Sequence, residues 1–248
     1  MPSGVVQPKG GNQCTAAALY AIATRFYNGD GVRKNWHRAF KLTRKAAEQG
    51  HVDAMDALGS CYLYGVGTNR NPRLGVQWYR LAAGKGNLSG QHNLAVCYAN
   101  GSGVRRNAKT AVHLLKEPAR HGIPEALDML GYFLRYGLGV NRNRKRGFRL
   151  QLQAAKKGLA GAQFSVGWCY SKGEGTPSNA REAYRWYLRA AKRGQTEAQY
   201  NVGFYYETGK AVTQDQRRAI QWYRKAVAQG DKDARSALMR LGKSNPRE

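Results

Sequence analysis

Apolar and small residues recur along this chain at a fixed interval of 36. Laid out from Ala18, the first position of each unit is Ala18, Ala54, Gly90, Ala126, Ala162 and Ala198, and Ala234 opens a partial seventh. The fifth position is Ile22, Leu58, Leu94, Leu130, Val166 and Val202, and the ninth is Phe26, Tyr62, Tyr98, Leu134, Tyr170 and Tyr206. Residues three and four apart share a helix face, so this stripe predicts a helix, A, at the start of every unit. Position 12 is glycine in all six units, from Gly29 to Gly209. Glycine takes the left-handed conformation that closes a helix at little steric cost. Position 18 is Asn35, Asn71, Asn107, Asn143, Asn179 or Asp215, side chains that accept from an exposed N–H at a helix start. A second helix, B, is predicted from there to another glycine column at position 33, Gly50 to Gly230. Its apolar face is clearest in unit five, in Ala183, Tyr184, Trp186, Tyr187, Ala190 and Ala191.

One such helix pair cannot bury its apolar face alone, and stacking of successive pairs buries it. The predicted fold is therefore all-α, a right-handed α-solenoid of six helix-turn-helix repeats plus a C-terminal capping helix. The units span 18–53, 54–89, 90–125, 126–161, 162–197 and 198–233, with the cap at 234–242. They lie between a short extension, 1–17, and a tail, 243–248. Units two, five and six carry Trp-Tyr in helix B, whereas unit one has Leu42-Thr43, unit three Leu114-Leu115 and unit four Leu150-Gln151. Pro118 falls inside helix B of unit three, where it is expected to break or kink the helix and to bend the solenoid around 115–150.

The pattern Ala-x-x-x-Leu-Gly-x-x-Tyr-x-x-Gly-x-Gly, followed by Asn-x-x-x-Ala-x-x-Trp-Tyr-x-x-Ala-Ala-x-x-Gly, resembles the Sel-like repeat (SLR) family, related to tetratricopeptide repeats. In unit two it is carried by Ala54, Leu58, Gly59, Tyr62, Gly65, Gly67, Trp78, Tyr79, Ala82, Ala83 and Gly86. The resemblance implies a non-enzymatic adaptor that presents a curved surface to proteins or peptides, and it implies no cofactor.

Composition narrows the classes further. The chain has 248 residues, 41 Lys+Arg against 15 Asp+Glu, and a formal charge of +26. No stretch approaches the roughly 20 apolar residues of a membrane span. The N-terminus lacks the pattern of a secretory signal, so a cytoplasmic location is expected. Four cysteines are too few for a disulfide scaffold. Cys61, Cys97 and Cys169 share position 8 and read as small buried thiols. The Gly-x-Gly pairs recur with the repeat and follow no strand, so they read as turns and not as phosphate loops. No His pairs with Cys, Asp or Glu at a metal-ligand spacing, and no catalytic grouping appears.

The repeat assigns the charge to faces. A helices carry 3 basic and 6 acidic residues, whereas B helices, positions 18–32, carry 25 basic and 4 acidic ones. By analogy with the tetratricopeptide relative, A helices line a concave side and B helices a convex one. The concave side then presents aromatic residues at positions 3 and 7. The candidate partner-binding residues are Tyr132, Phe164, Trp168, Tyr200 and Phe204, with Asp56, Asp128 and Glu197 selecting positive charge. A net charge of this size repels itself and points to an anionic partner. On the convex side the candidates are Arg142, Arg144, Lys145, Arg146 and Arg149, followed by Arg181, Arg185, Arg189, Lys192 and Arg193. The leading reading is a protein-interaction scaffold, monomeric, that binds a partner protein or peptide in its concave groove and an anionic partner on its convex face. The alternative is a protein that binds nucleic acid, RNA or ribonucleoprotein, through the basic helix-B face.

Overall fold

The computed structural model describes residues 15–243. Cys14 and the C-terminal tail from residue 244 lie outside the described residues. Thirteen helices occur among the described residues. The A helices are α1 (Ala16–Asn28), α3 (Val52–Tyr64), α5 (Leu88–Asn100), α7 (Pro124–Tyr136), α9 (Ala160–Lys172) and α11 (Thr196–Thr208). The B helices are α2 (Trp36–Glu48), α4 (Pro72–Gly84), α6 (Ala108–Arg120), α8 (Arg144–Lys156), α10 (Ala180–Lys192) and α12 (Gln216–Ala228), and α13 (Lys232–Lys243) closes the series. Each A helix begins two residues ahead of the phase origin used above, and the period of 36 holds throughout. The chain divides into two compact units, one ending at Asn107 and one beginning at Ala108. Within each unit successive helices pack on one another, which is the α-solenoid arrangement of repeated helix pairs with a C-terminal helix.

The punctuation follows from the residues. All six A helices end on a left-handed glycine, from Gly29 at φ 89° to Gly209 at φ 68°. The side chains of Asn35, Asn71, Asn143, Asn179 and Asp215 each accept from the N–H three residues on, at 2.9–3.1 Å. At the starts of the A helices, Thr15, His51 and Asn87 cap in the same way. Ile123, Leu159 and Gln195 make no side-chain cap. Asp53, Glu125 and Glu197 sit in first turns, where their charge opposes the positive end of the helix dipole. Carbonyls left over at helix-A C-termini are met by position 17: Arg70 Nε donates to the Leu63 carbonyl, Arg142 Nε to that of Arg135, and Gln214 Nε2 to that of Glu207.

Helix α6 runs through Pro118 to Arg120, so the expected break does not occur. Proline lacks one donor N–H, but here it lies in the last turn. There it is buried, and its carbonyl accepts from the Ile123 N–H at 3.0 Å.

Position 26 of helix B sets the interior of each repeat. Tyr79, Tyr187 and Tyr223 are all at most 2% exposed. Each ring lies against a helix-A glycine of its own unit. A Cβ on Gly59, Gly167 or Gly203 would stand 2.6–2.7 Å from the ring, so only glycine permits this approach. Two of the hydroxyls find partners along the A helix: Tyr79 with Ser60 Oγ at 2.9 Å, and Tyr223 donating to a Glu207 carboxylate oxygen. Burial pushes all three phenols well above their ordinary range. Cys61, Cys97 and Cys169 are buried free thiols, each raised to about 11 by desolvation, which makes them poor nucleophiles.

Candidate functional site

Unit four departs from the tyrosine arrangement, and the departure falls on the face that carries the candidate aromatic residues. Gln151 stands where units two, five and six have tyrosine, and Arg135 stands at position 10, opposite its end. Gln151 Oε1 accepts from Arg135 Nη1 at 2.8 Å, and Gln151 Nε2 donates to Asp128 Oδ1 at 2.8 Å. Arg135 is only 3% exposed. Its charge is answered by Glu174 of the next Gly-x-Gly turn, 3.9 Å from Nε, and Arg144 reaches the same carboxylate oxygen at 3.6 Å. Neither Arg135 Nε nor Glu174 Oε1 makes a hydrogen bond. Burial raises the Asp128 carboxyl above its ordinary value, against the Gln151 hydrogen bond and the Arg135 charge that pull it down. The result is a polar chain, Asp128–Gln151–Arg135–Glu174–Arg144, joining α7, α8 and the turn after α9.

Aromatic residues lie over this chain. The Arg135 guanidinium is 4.8 Å from the Trp168 ring centre and 5.2 Å from that of Tyr136. A buried cation against two ring faces fixes both rings by their quadrupoles. The Tyr132 and Tyr136 rings lie 4.7 Å apart, tilted by 52°, and are 48% and 43% exposed. Phe204 is also exposed, at the same repeat position as Tyr132 and Trp168. Phe164 and Tyr200 are half-buried and lie against Tyr187 and Tyr223, at 5.7 and 5.6 Å. Of the position-7 rings, Tyr132 and Phe204 thus face outward and Trp168 is half-buried against the unit-five core, while the rings at position 3 back the tyrosine column. Glu197 is exposed in the first turn of α11 and accepts from Gln195. Asp56 belongs to the first compact unit, where it is half-buried and accepts from Asn93 at 2.8 Å.

The basic candidates divide by commitment. Arg142 is held by a helix carbonyl, Arg144 by Glu174, and Arg185 by Glu182 at 2.7 Å; Arg189 covers the Trp186 ring at 4.4 Å. The Arg193 guanidinium lies beside Gly158. Lys145, Arg146, Arg149, Arg181 and Lys192 are exposed and make no ion pair among the described residues.

Sequence reasoning did not single out Arg135, Gln151, Glu174 or Tyr136 as a set. A signal was present: Arg135 is a cation on a mostly acidic helix face, and Gln151 interrupts a tyrosine column. Among the described residues, no group of three His, Cys, Asp or Glu side chains is placed to hold a metal, and no helix is long and apolar enough to cross a membrane.

Comparison with known proteins places this geometry. A Sel1 repeat family model matches residues 16–51, 52–87, 88–122, 124–159, 160–195 and 196–231. No curated protein sequence matches significantly. Among solved structures, a protective antigen of uropathogenic Escherichia coli displaying an SLR fold is 30% identical, with a TM-score of 0.77 over 93% of this chain and 49% of its own. A Sel1 repeat protein from Oxalobacter formigenes is 27% identical, with a TM-score of 0.82 over 92% of this chain and 66% of its own. The chain therefore spans half to two thirds of these relatives. An immunity protein from Pseudomonas aeruginosa shares the fold at 21% identity and a TM-score of 0.58, over 88% of this chain and 83% of its own. The six end-to-end matches, on helix pairs of the same period, show that the chain belongs to the Sel1 repeat family, whose members are generally protein-interaction scaffolds on a typically non-enzymatic fold.

Proposed function

We propose that the second compact unit binds a segment of a partner protein along its A-helix face, with Tyr132, Trp168 and Phe204 as anchors. The observation that carries this reading is the row of rings at one repeat position, Tyr132 and Phe204 exposed and Trp168 half-buried between them in sequence, with the buried Arg135 cation against the indole. Rigid aromatic rings supply contact area at small entropic cost and dominate interface energetics. Asp128 and Glu197 leave this face acidic, which favours a segment with Lys or Arg. Phe164 and Tyr200 contribute by fixing the rings beneath. Trp168→Ala is expected to weaken the partner complex by about 2 kcal/mol, roughly thirtyfold in Kd, measured by titration calorimetry with helicity unchanged. An affinity equal to wild type would remove Trp168 from the site.

The basic B-helix face supports a second reading, contact with an anionic partner such as RNA. The favouring observation is the group Lys145, Arg146, Arg149, Arg181 and Lys192, exposed cations without carboxylate partners among the described residues. Phosphate contacts need only surface Lys and Arg, and their number sets the salt dependence. Mixed-sequence RNA titrated at about 50 and 200 mM salt is expected to show a steep log–log slope, which the Lys145→Glu/Arg146→Glu variant reduces by about two contacts. A slope unchanged in that variant would place the binding elsewhere.

A further inference from the structure

Unit one lacks the side chain that fills its sisters, and the space is open. Position 26 is Thr43 there, where units two, five and six have tyrosine, unit three Leu115 and unit four Gln151. Position 6, against which the tyrosine rings lie, is Ala23 instead of glycine. The pairing is consistent along the chain. Gly59, Gly131, Gly167 and Gly203 accompany a long side chain at position 26, and Ala23 and Ala95 accompany shorter ones. Unit one has only a threonine beside an alanine. The consequence is a cleft of about 400 Å³ between α1, α2 and α3.

The walls of the cleft are aromatic and its floor carries hydroxyls. Tyr27, Trp36 and Tyr64 stand at its mouth, 48%, 52% and 68% exposed. Lys34 covers one face of the Trp36 ring at 4.9 Å, a cation–π contact that holds the indole in place. Thr24, exposed at the rim, and Ser60, half-buried, have their hydroxyls engaged, with the Tyr20 carbonyl and the Tyr79 hydroxyl. Thr43 is 5% exposed, lines the cleft, and has no hydrogen-bond partner for its hydroxyl among the described residues. A hydroxyl on the wall of an open cleft can donate to or accept from a polar group that enters it. In a chain of formal charge +26, no lining residue is charged. The cleft therefore suits a neutral, flat group with one polar end.

We propose that this cleft receives a tyrosine side chain of a partner protein, which takes in trans the place that Tyr79, Tyr187 and Tyr223 occupy in cis in their own repeats. The Ala23 methyl holds the incoming ring slightly farther from α1 than the sister rings lie, toward the Trp36 and Tyr64 walls. Its phenol hydroxyl pairs with Thr43, and its neutrality matches the uncharged lining. A phosphorylated tyrosine brings about two negative charges to a lining that holds no charged residue, with Lys34 at the mouth already engaged on the Trp36 ring, and is excluded. This site is separate from the aromatic anchors of the second compact unit and does not depend on them.

The test uses the full chain, ¹⁵N-labelled, titrated with N-acetyl-tyrosinamide. Saturable shifts of the Thr24, Thr43 and Ser60 amides are expected, with a Kd on the order of 1 mM for one side chain. The Ala23→Gly/Thr43→Tyr variant supplies the ring from its own chain and is expected to abolish those shifts. Thr43→Val, which keeps the shape and removes the hydroxyl, is expected to raise Kd several-fold, so the test stands even where the double variant folds poorly. N-acetyl-phosphotyrosinamide is expected to leave the three amides unmoved. Absence of shifts at these amides, shifts that persist in the filled variant, or equal binding of the phosphorylated probe would each overturn the proposal. Concentration-dependent association lost in the filled variant would assign the cleft to a second copy of the chain and overturn the partner-borne reading.

Discussion

Arg135→Ala is expected to destabilise the second compact unit by about 3–5 kcal/mol, the usual result of removing one partner from a buried charge network. Without the guanidinium, Gln151 Oε1 loses its donor, and Glu174, only 16% exposed, loses its buried counter-charge. The Trp168 ring also loses the cation behind it. The sister repeats show what replaces the network. Gly131 keeps the cradle that a tyrosine ring needs: a Cβ there would already meet the Gln151 side chain at 2.6 Å. Arg135→Ser/Gln151→Tyr gives unit four the residues of unit five, a tyrosine ring on the helix-A glycine as Tyr187 lies on Gly167, and serine at position 10 as at Ser171. This double change is expected to recover more than half of the loss, because well-packed neutral groups often equal or exceed a buried ion network in stability. Denaturant midpoints of wild type, single and double variants decide the matter. A double variant no more stable than Arg135→Ala would mean that the charge network, not the filled space, holds this repeat.

A single methyl at Gly139 is expected to cost about 3 kcal/mol, and the opposite change at Ala211 to cost nothing. Both occupy position 14, the third residue of the Gly-x-Gly turn, and both have positive φ, 68° and 64°. Ala211 is the one non-glycine residue with positive φ among the described residues. The difference lies in what each turn touches. A Cβ on Gly139 would stand 2.4 Å from the Ala108 carbonyl carbon and 2.5 Å from the Lys109 nitrogen, both backbone atoms of the preceding B helix. Backbone in a helix does not yield, so the turn must lift off, and the left-handed conformation of alanine adds about 1 kcal/mol. Ala211 already carries its methyl, packed at the edge of the unit-five core. Ala211→Gly therefore releases conformational strain of about 1 kcal/mol, offset in part by the lost apolar contact. Thermal midpoints of the two variants should move in opposite directions or differ by several degrees. Equal losses would show that the turn is governed by the glycine rule alone and not by its seat on the preceding helix.

These two predictions mark where the sequence was legible. The period, the helix pairs, the glycine stops and the Asn caps could be read because each is local: it depends on residues within one turn and returns every 36 positions. The Gly-x-Gly pairs were legible as turns, but the contact of Gly139 with Ala108 joins residues 31 apart and leaves no local pattern. Pro118 shows the limit of a local rule, since a proline in the last helical turn forgoes one bond without ending the helix. The groove was partly legible. Counting aromatic residues at positions 3 and 7 found Trp168 and Phe204. It did not separate exposed Phe204 from half-buried Trp168, nor either from Phe164 and Tyr200, whose rings lie on buried tyrosines of helix B. Arg135 was visible only as a charge, because its role depends on Gln151 and Glu174, placed by two other elements.

The central claim is that the A-helix face of the second compact unit recognises a protein segment. The most direct measurement is selection of a displayed random peptide library on the full chain, with the enriched peptides then titrated against variants. The account predicts peptides carrying Lys or Arg that lose about thirtyfold in affinity with Trp168→Ala and keep it with Lys145→Glu/Arg181→Glu. Peptides indifferent to Trp168 and lost on charge reversal of the B-helix face would contradict it.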